Sequence, residues 1–375
     1  MNKKYKFVFT GGGSGGHTMP ALALIQAIKE YSKKIECSML YIGSYNGVER
    51  ELIQSNNIKY KSISTGKLRR YLSISNFIDI FRILKGIKQS KIILKNFDPD
   101  ILISTGGFVS VPPVIAAKKL KIPIIIHEQT IDAGLANKIA SRFANKVALT
   151  FNESKKYFLK KDIVLTGLPI RKELFDGNKN EALKKFNLDE KLPVIYFTGG
   201  GLGCHILNIT AIKILSELLE RCNVIFQTGK ALNSKDFFEM KKFKESLNKN
   251  KKKRLIVFDF IKDELADIYA MADLVVARSG AGTVNELMAL NIPVIFIPLA
   301  IATKNEQLRN AKYVEKMGGS IIIEEKDLNP EILLEKIKTI LFTDKIVKMK
   351  ENLKKHSIQN GTKNMIDLIF ELIGR

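Results

Sequence analysis

Acidic residues are scarce in this chain of 375 residues: 38 Asp and Glu stand against 61 Lys and Arg, a net charge of +23. Cysteine is scarcer, with only Cys37, Cys204 and Cys222. Three scattered thiols build neither a disulfide framework nor a CxxC metal site, and they fit a reducing compartment. No apolar run reaches the about 18 residues needed to cross a bilayer. Between Met1 and Thr10 the only apolar block is Phe7-Val8-Phe9, which reads as a strand rather than a signal peptide. Also missing are HExxH and carboxylate-cluster spacings for zinc, a G-x-S-x-G elbow and a P-loop lysine. No Asp-x-Asp follows a strand to hold a metal–diphosphate; Asp98-Pro99-Asp100 precedes one. The hydrophobic fraction of 45% excludes a disordered tail, a coiled coil and a collagen-like fibre. At roughly 150 residues per domain the length suggests two domains, in a soluble cytoplasmic protein.

The basic excess is uneven. Residues 1–170 hold 27 basic and 11 acidic residues, and residues 171–375 hold 34 and 27. Lysine bias from base composition is one source. The interval Lys59–Lys95 has ten basic residues and one acid, Asp79, among Phe77, Ile78, Phe81, Leu84 and Ile87. These spacings place apolar residues and Lys85, Lys88 and Lys91 on different faces of one helix. Such a helix suits an anionic membrane surface, or equally a core-facing helix with solvated lysines. Lys241–Arg254, with eight basic residues, reads as an exposed loop or helix end.

Short β-branched runs alternate with amphipathic stretches along the whole chain. Strands are expected at Lys6–Thr10, Ser38–Ile42, Ile101–Ser104, Ile122–His127, Lys146–Thr150 and Ile163–Thr166. Six more follow at Val194–Thr198, Val224–Thr228, Leu255–Phe258, Leu274–Ala277, Pro293–Pro298 and Ser320–Ile323. Continuous apolar runs of this kind fit parallel strands buried on both faces, and the alternation fits doubly wound α/β layers. The halves also share a repeat. Phe9-Thr10-Gly11-Gly12-Gly13-Ser14-Gly15-Gly16-His17 matches Phe197-Thr198-Gly199-Gly200-Gly201-Leu202-Gly203-Cys204-His205 at seven of nine positions. Each copy ends a strand and opens a helix, where glycines let backbone N–H groups approach an anion. Two Rossmann-like domains are implied, 1–166 and 167–357, joined near Thr166-Gly167-Leu168-Pro169. Gly11-x-Gly13-x-x-Gly16 also satisfies a dinucleotide fingerprint. Its acidic partner is missing from the end of the second strand, which runs into Gly43-Ser44 and argues against NAD or FAD.

Four polar segments follow strands, where open α/β sheets place ligands. They are Ser104–Phe108, His127–Thr130, Arg278–Glu286 and Asn305–Gln307. In the third, glycines at 280 and 282 open a helix and could cradle a diphosphate, with Glu286 accepting from ribose hydroxyls. The alternative is a capping box of Thr283 and Glu286. His17, directly after its glycine loop, is either a general base or a helix N-terminal histidine bonded to a neighbouring loop. His127 is as easily structural, and His205 gives no reason to invoke chemistry.

These motifs occur together and in order: Gly12–His17, Gly106–Ser110, His127-Glu128-Gln129, Gly167–Arg171, Arg278–Ala281 and Asn305-x-Gln307-x-x-Asn310-Ala311. The set resembles the MurG family of bacterial glycosyltransferases over about residues 6–320. The resemblance implies a GT-B fold, two Rossmann-like doubly wound parallel-sheet domains facing across a cleft, with helix 358–375 packing back on the first. It implies an inverting transfer of GlcNAc from UDP-GlcNAc to the 4-hydroxyl of MurNAc in lipid I, giving lipid II without a metal or other cofactor. The place would be the cytoplasmic face of the cell membrane, peripheral, near cell-wall and division proteins and away from nucleic acid. By the same resemblance His17 is the candidate base. Ser14, Gly15, Gly16, Thr130, Arg171, Gly201, Ile261, Ala281, Gly282, Thr283, Val284, Asn285, Glu286 and Gln307 would bind the donor. Gly12, Gly13, Gly106, Gly107, Phe108, His127 and Glu128 would line the acceptor and diphosphate side. Thr130 and Gly201 depart from the family's usual Asn and Ser. The competing readings are a UDP-sugar epimerase or glycolipid glycosyltransferase of the same fold, and a basic nucleic-acid-binding protein.

Overall fold

The computed structural model describes residues 4–31, 36–66, 74–158, 162–300, 305–356 and 360–374. Lys67, Arg69 and Arg70 of the basic interval lie outside them, as do the side chains of Phe77 and Ile78. The chain divides into two compact units, Met1–Arg171 with Ile358–Arg375, and Lys172–Ser357.

The first unit carries seven strands: β1 Tyr5–Thr10, β2 Cys37–Ser44, β3 Lys59–Ile63, β4 Ile101–Ser104, β5 Ile124–Glu128, β6 Lys146–Leu149 and β7 Asp162–Leu165. All pair in parallel, in the order β3-β2-β1-β4-β5-β6-β7. The second unit carries β8 Val194–Thr198, β9 Asn223–Gln227, β10 Leu255–Phe258, β11 Leu274–Ala277, β12 Val294–Phe296 and β13 Ser320–Ile322. Their order, also parallel, is β10-β9-β8-β11-β12-β13. In each sheet the order reverses beside the strand that feeds the repeated glycine turn, between β1 and β4 and between β8 and β11. Open α/β sheets form their ligand crevice at such a switch point, beyond the carboxyl ends of the strands.

The central strands carry continuous apolar runs buried on both faces, as at 194–197 and 124–126. The strand Lys59–Ile63 was not among those expected. It is the edge strand of its sheet, its two lysines are exposed, and only Ile63 is fully buried, so no apolar run marks it. The segment Lys241–Arg254 is helical rather than a loop. Helix Lys235–Ser246 is followed by helix Lys249–Arg254, where the Asn248 carbonyl Oδ1 accepts from the Lys251 N–H. Lys251 and Lys252 pair with Glu220 and Glu245.

The basic helix spans Ile74–Phe97. Its Leu94 and Ser90 are buried while Phe81 is 71% and Leu84 57% exposed. Lys85, Lys88, Lys91 and Lys95 are exposed as well. At 100° per residue these side chains lie along one stripe, so the apolar and basic groups share a face instead of occupying different ones.

The boundary between units falls after Arg171, later than the expected join at 166/167. Residues 167–170 stay with the first unit because helix Gly361–Leu372 clamps them there. Ile170 N–H donates to the Thr362 hydroxyl at 2.9 Å, and a Cβ on Gly361 would stand 2.3 Å from the Leu168 carbonyl oxygen. The same helix places Met365, Leu368, Ile369 and Phe370 among Tyr5, Phe7 and Leu24. Phe370 meets Tyr5 edge-on at 5.9 Å between ring centroids.

Candidate functional site

In the first unit, the turn between β1 and helix Gly15–Tyr31 is held by its own backbone. Gly12 N–H donates to the Gly106 carbonyl at 3.2 Å, and Tyr41 donates to the Gly11 carbonyl at 2.9 Å. Gly13 N–H donates to Glu49 Oε2 at 3.2 Å. Glu49 is fully buried and also accepts from Ser44 N–H at 3.0 Å. The Ser104–Phe108 turn packs directly against this one. A Cβ on Gly107 would stand 2.0 Å from the Gly12 carbonyl oxygen, and one on Gly13, at φ +85°, would stand 2.5 Å from Phe108. Only glycine allows the two turns so close.

His17 projects from the first turn of its helix. Its Nδ1 lies 3.1 Å from the Thr105 carbonyl, which can only accept, so Nδ1 carries the proton. Burial pushes the imidazole below its ordinary value of 6.5, opposed by the Glu128 charge and the Thr105 hydrogen bond. At neutral pH the ring is therefore uncharged, and Nε2 holds a lone pair. The bond to a neighbouring loop and the capacity to take a proton are thus both present in one residue.

Glu128 organises the loop beside it. Its Oε1 accepts from the N–H groups of Gln129 and Thr130 at 3.0 and 3.1 Å, and its Oε2 from Gly134 N–H and Asn137 Nδ2 at 3.1 and 3.0 Å. The Thr130 hydroxyl lies 2.9 Å from Glu128 Oε1 and 2.8 Å from the Asp132 carbonyl, so its single proton serves this loop. His127 is a buried bolt. Its Nε2–H donates to the Gly167 carbonyl at 2.9 Å, and burial pushes its value down to about 4. Gly12, Gly13, His17, Gly106, Gly107, Phe108 and Glu128 thus meet at one end of β1, β4 and β5. Exposed Ser14 precedes the helix, half-buried Gly15 and exposed Gly16 open it, and Arg171, half-buried, closes the unit's first segment.

In the second unit, the repeated turn has other partners. Gly200, at φ +80°, donates its N–H to the Thr198 hydroxyl at 3.0 Å and accepts from Gln227 Nε2 at 3.0 Å. Gly201 lies under Phe260, whose ring a Cβ would approach to 3.3 Å. His205 Nδ1 lies 2.8 Å from Asp236, which also accepts from Asn208 Nδ2 at 2.7 Å, tying helix His205–Leu218 to helix Lys235–Ser246.

Helix Ala281–Ala289 starts after β11 with Gly280 as its N-cap, and no side chain caps it. The alternative reading, a capping box of Thr283 and Glu286, is not formed. A Cβ at Gly280 or Gly282 would meet nothing within 4 Å, so space lies open over this end. Val284 is core, and Asn285 Nδ2 donates to the Ala281 carbonyl at 2.7 Å. Glu286 instead accepts from the Tyr269 hydroxyl at 3.0 Å. Ser279 donates to the Gln307 carbonyl at 2.8 Å, and Gln307 Oε1 accepts from Leu299 N–H at 3.0 Å. Ile261 is buried just beyond β10. Among the described residues no group of three or more His, Cys, Asp and Glu is placed to hold a metal ion.

Sequence reading missed Glu49 and Tyr269. Glu49 follows β2 after Gly47-Val48, near where a dinucleotide fold puts its acid, yet here it binds the glycine turn itself. Tyr269 lies in an apolar helix, Leu265–Met271, with no signal besides its hydroxyl.

Two family models match the chain: the glycosyltransferase family 28 N-terminal domain over residues 7–149 and its C-terminal domain over 194–367. A relative from Clostridium perfringens is 43% identical over 98% of both chains. It is named UDP-N-acetylglucosamine–N-acetylmuramyl-(pentapeptide) pyrophosphoryl-undecaprenol N-acetylglucosamine transferase. A Clostridium novyi relative of the same name is 43% identical over 99% of this chain and 98% of its own. The crystal structure of Acinetobacter baumannii MurG superposes with a TM-score of 0.76 at 27% identity, covering 98% of this chain and 99% of that one. A putative UDP-N-acetylglucosamine 2-epimerase from Listeria monocytogenes shares the fold, with a TM-score of 0.67 at 14% identity, covering 99% of this chain and 97% of that one.

Proposed function

The chain belongs to glycosyltransferase family 28, and from that membership we propose that it transfers GlcNAc from UDP-GlcNAc to the 4-hydroxyl of MurNAc in lipid I, giving lipid II for peptidoglycan. The observation that carries this reading is the 43% identity, over 98% of the chain, to transferases of that name. The site supports it chemically. In an inverting transfer the 4-hydroxyl oxygen bonds to the anomeric carbon as the bond to UDP breaks, and the hydroxyl proton goes to a base. His17, neutral with a lone pair on Nε2, is our candidate for that base. UDP leaves with added negative charge. The uncapped N–H groups at Ala281, Gly282 and Thr283 are suited to stabilise it, and Glu286 to accept from ribose. UDP-GlcNAc enters as a substrate, and the reading calls on no cofactor.

The finer placement belongs to the same proposal: peripheral binding at the cytoplasmic face of the membrane, beside cell-wall and division proteins. The exposed stripe of Phe81, Leu84, Lys85, Lys88 and Lys91 supports it. No helix among the described residues is long and apolar enough to cross a membrane. The activity test is transfer of labelled GlcNAc to lipid I; absence of lipid II with intact donor and acceptor overturns the reading. For the surface, anionic liposomes should bind more tightly than duplex DNA at physiological salt. Lys88→Ala with Lys91→Ala should weaken liposome binding by about 2 kcal/mol. Equal or stronger DNA binding would favour a nucleic-acid partner instead.

A further inference from the structure

Glu286 lies at the second turn of helix Ala281–Ala289, half-buried, on a helix whose N-terminal end no side chain caps among the described residues. The orientation of that carboxylate decides which acceptor a nucleotide would meet, and Tyr269 contributes to holding it. Its ring is 95% buried on helix Leu265–Met271, packed edge-on to Tyr196 at 6.0 Å between centroids, and its hydroxyl reaches Glu286 Oε2 at 3.0 Å. Tyr196 is in turn fixed, donating to Gln227 Oε1 at 3.1 Å, while Gln227 Nε2 donates to the Gly200 carbonyl. A continuous chain of rings and amides therefore runs from the repeated glycine turn to the Glu286 carboxylate, and Tyr269 is its last link.

We propose that Tyr269 is a positioning residue for donor selection: its phenol holds the Glu286 carboxylate in the orientation that accepts from the ribose hydroxyls of a uridine nucleotide. This rests on the reading of Glu286 as the ribose acceptor. A phenol donating to an oxygen leaves lone pairs on both carboxylate oxygens, so anchoring does not consume the acceptor. Fixing it in advance lowers the ordering cost of binding. The effect falls on nucleotide affinity and on discrimination for ribose, because the phenol acts through Glu286, the group read as the ribose acceptor.

The test is calorimetric titration of the full chain with UDP and with 2′,3′-dideoxy-UDP. Tyr269→Phe keeps the ring and its contact with Tyr196. It should weaken UDP roughly 5- to 20-fold, about 1–1.8 kcal/mol and so near the lower end for one hydrogen bond to a charged group, and dideoxy-UDP less than about 2-fold. The KM for UDP-GlcNAc should rise with kcat little changed. In a Glu286→Ala background the Tyr269→Phe effect should vanish, as coupled residues require. Equal weakening of both nucleotides, or no weakening of UDP, overturns the positioning role while leaving the Glu286 reading intact. Equal binding of the two nucleotides by the unaltered protein, or an unchanged preference for UDP in Glu286→Ala, overturns that reading and this inference with it.

Discussion

The two glycine turns share seven of nine residues, yet they are locked by opposite chemistry. In the first, Gly13 N–H is bound by the buried carboxylate of Glu49. In the second, the lock is neutral: the Thr198 hydroxyl and the Gln227 amide hold Gly200. The histidine that ends each copy differs too. His17 donates to a carbonyl and is kept uncharged, while His205 faces the Asp236 carboxylate. A repeated sequence thus sets the path of the backbone, and residues distant in the chain decide its electrostatics. In the first turn Glu49 occupies the Gly13 N–H, and the neutral histidine beside it suits proton transfer.

The largest expected contrast lies between the two histidines. His17→Ala should lower kcat by about 10²- to 10⁴-fold with UDP affinity unchanged. His205→Ala should leave kcat within about 2-fold, since it breaks only a helix-to-helix tie. Wild-type turnover in His17→Ala would remove the asymmetry. The base should also act when unprotonated, so kcat should fall as pH drops through a value below 6.5. A kcat that shows no fall with acid while the protein stays folded would count against His17.

Acid stability is the next contrast. His127 is buried neutral in the first unit, with its folded value pushed down to about 4 from 6.5. The unfolded chain takes up this proton first, so stability is intact above 6.5 and drains away as pH falls toward 4, by about 3 kcal/mol. Hydrogen exchange should show the first unit opening at a higher pH than the second, and His127→Gln should flatten that slope. Coincident opening of both units in His127→Gln and in the unaltered chain would refute the assignment. The smallest contrast is steric. Gly13→Ala meets Phe108 at 2.5 Å, whereas Gly200→Ala meets open space, though both positions have positive φ. Strain alone should cost about 1 kcal/mol at Gly200, and crowding should add about 1–2 kcal/mol at Gly13, read as the lower thermal midpoint.

Much of the fold was legible because parallel strands buried on both faces leave unbroken apolar runs, as Ile101–Ser104 and Leu274–Ala277 do. Lys59–Ile63 was not legible, since an edge strand with outward lysines carries no such run. The glycine turns and His17 were visible as motifs. Their charge state was not, because Glu49 and Thr105 reach them only through the tertiary fold. Spacing alone left a cap by Thr283 and Glu286 open beside ligand binding, and the fold settles that Tyr269 bonds Glu286 from another helix. The shared face of Phe81, Leu84 and Lys88 depended on which side of Ile74–Phe97 the fold buries.

The return of helix Gly361–Leu372 to the first unit has a consequence for the order of assembly. The second unit is one uninterrupted stretch of chain, while the first needs segments from both ends. On a ribosome the sheet of the first unit is made early, but Met365, Leu368, Ile369 and Phe370 arrive last to seal it. A second unit already folded by then replaces a long flexible loop that would otherwise have to be closed at an entropic cost. Order of birth and order of completion are therefore reversed: the half that emerges first finishes last.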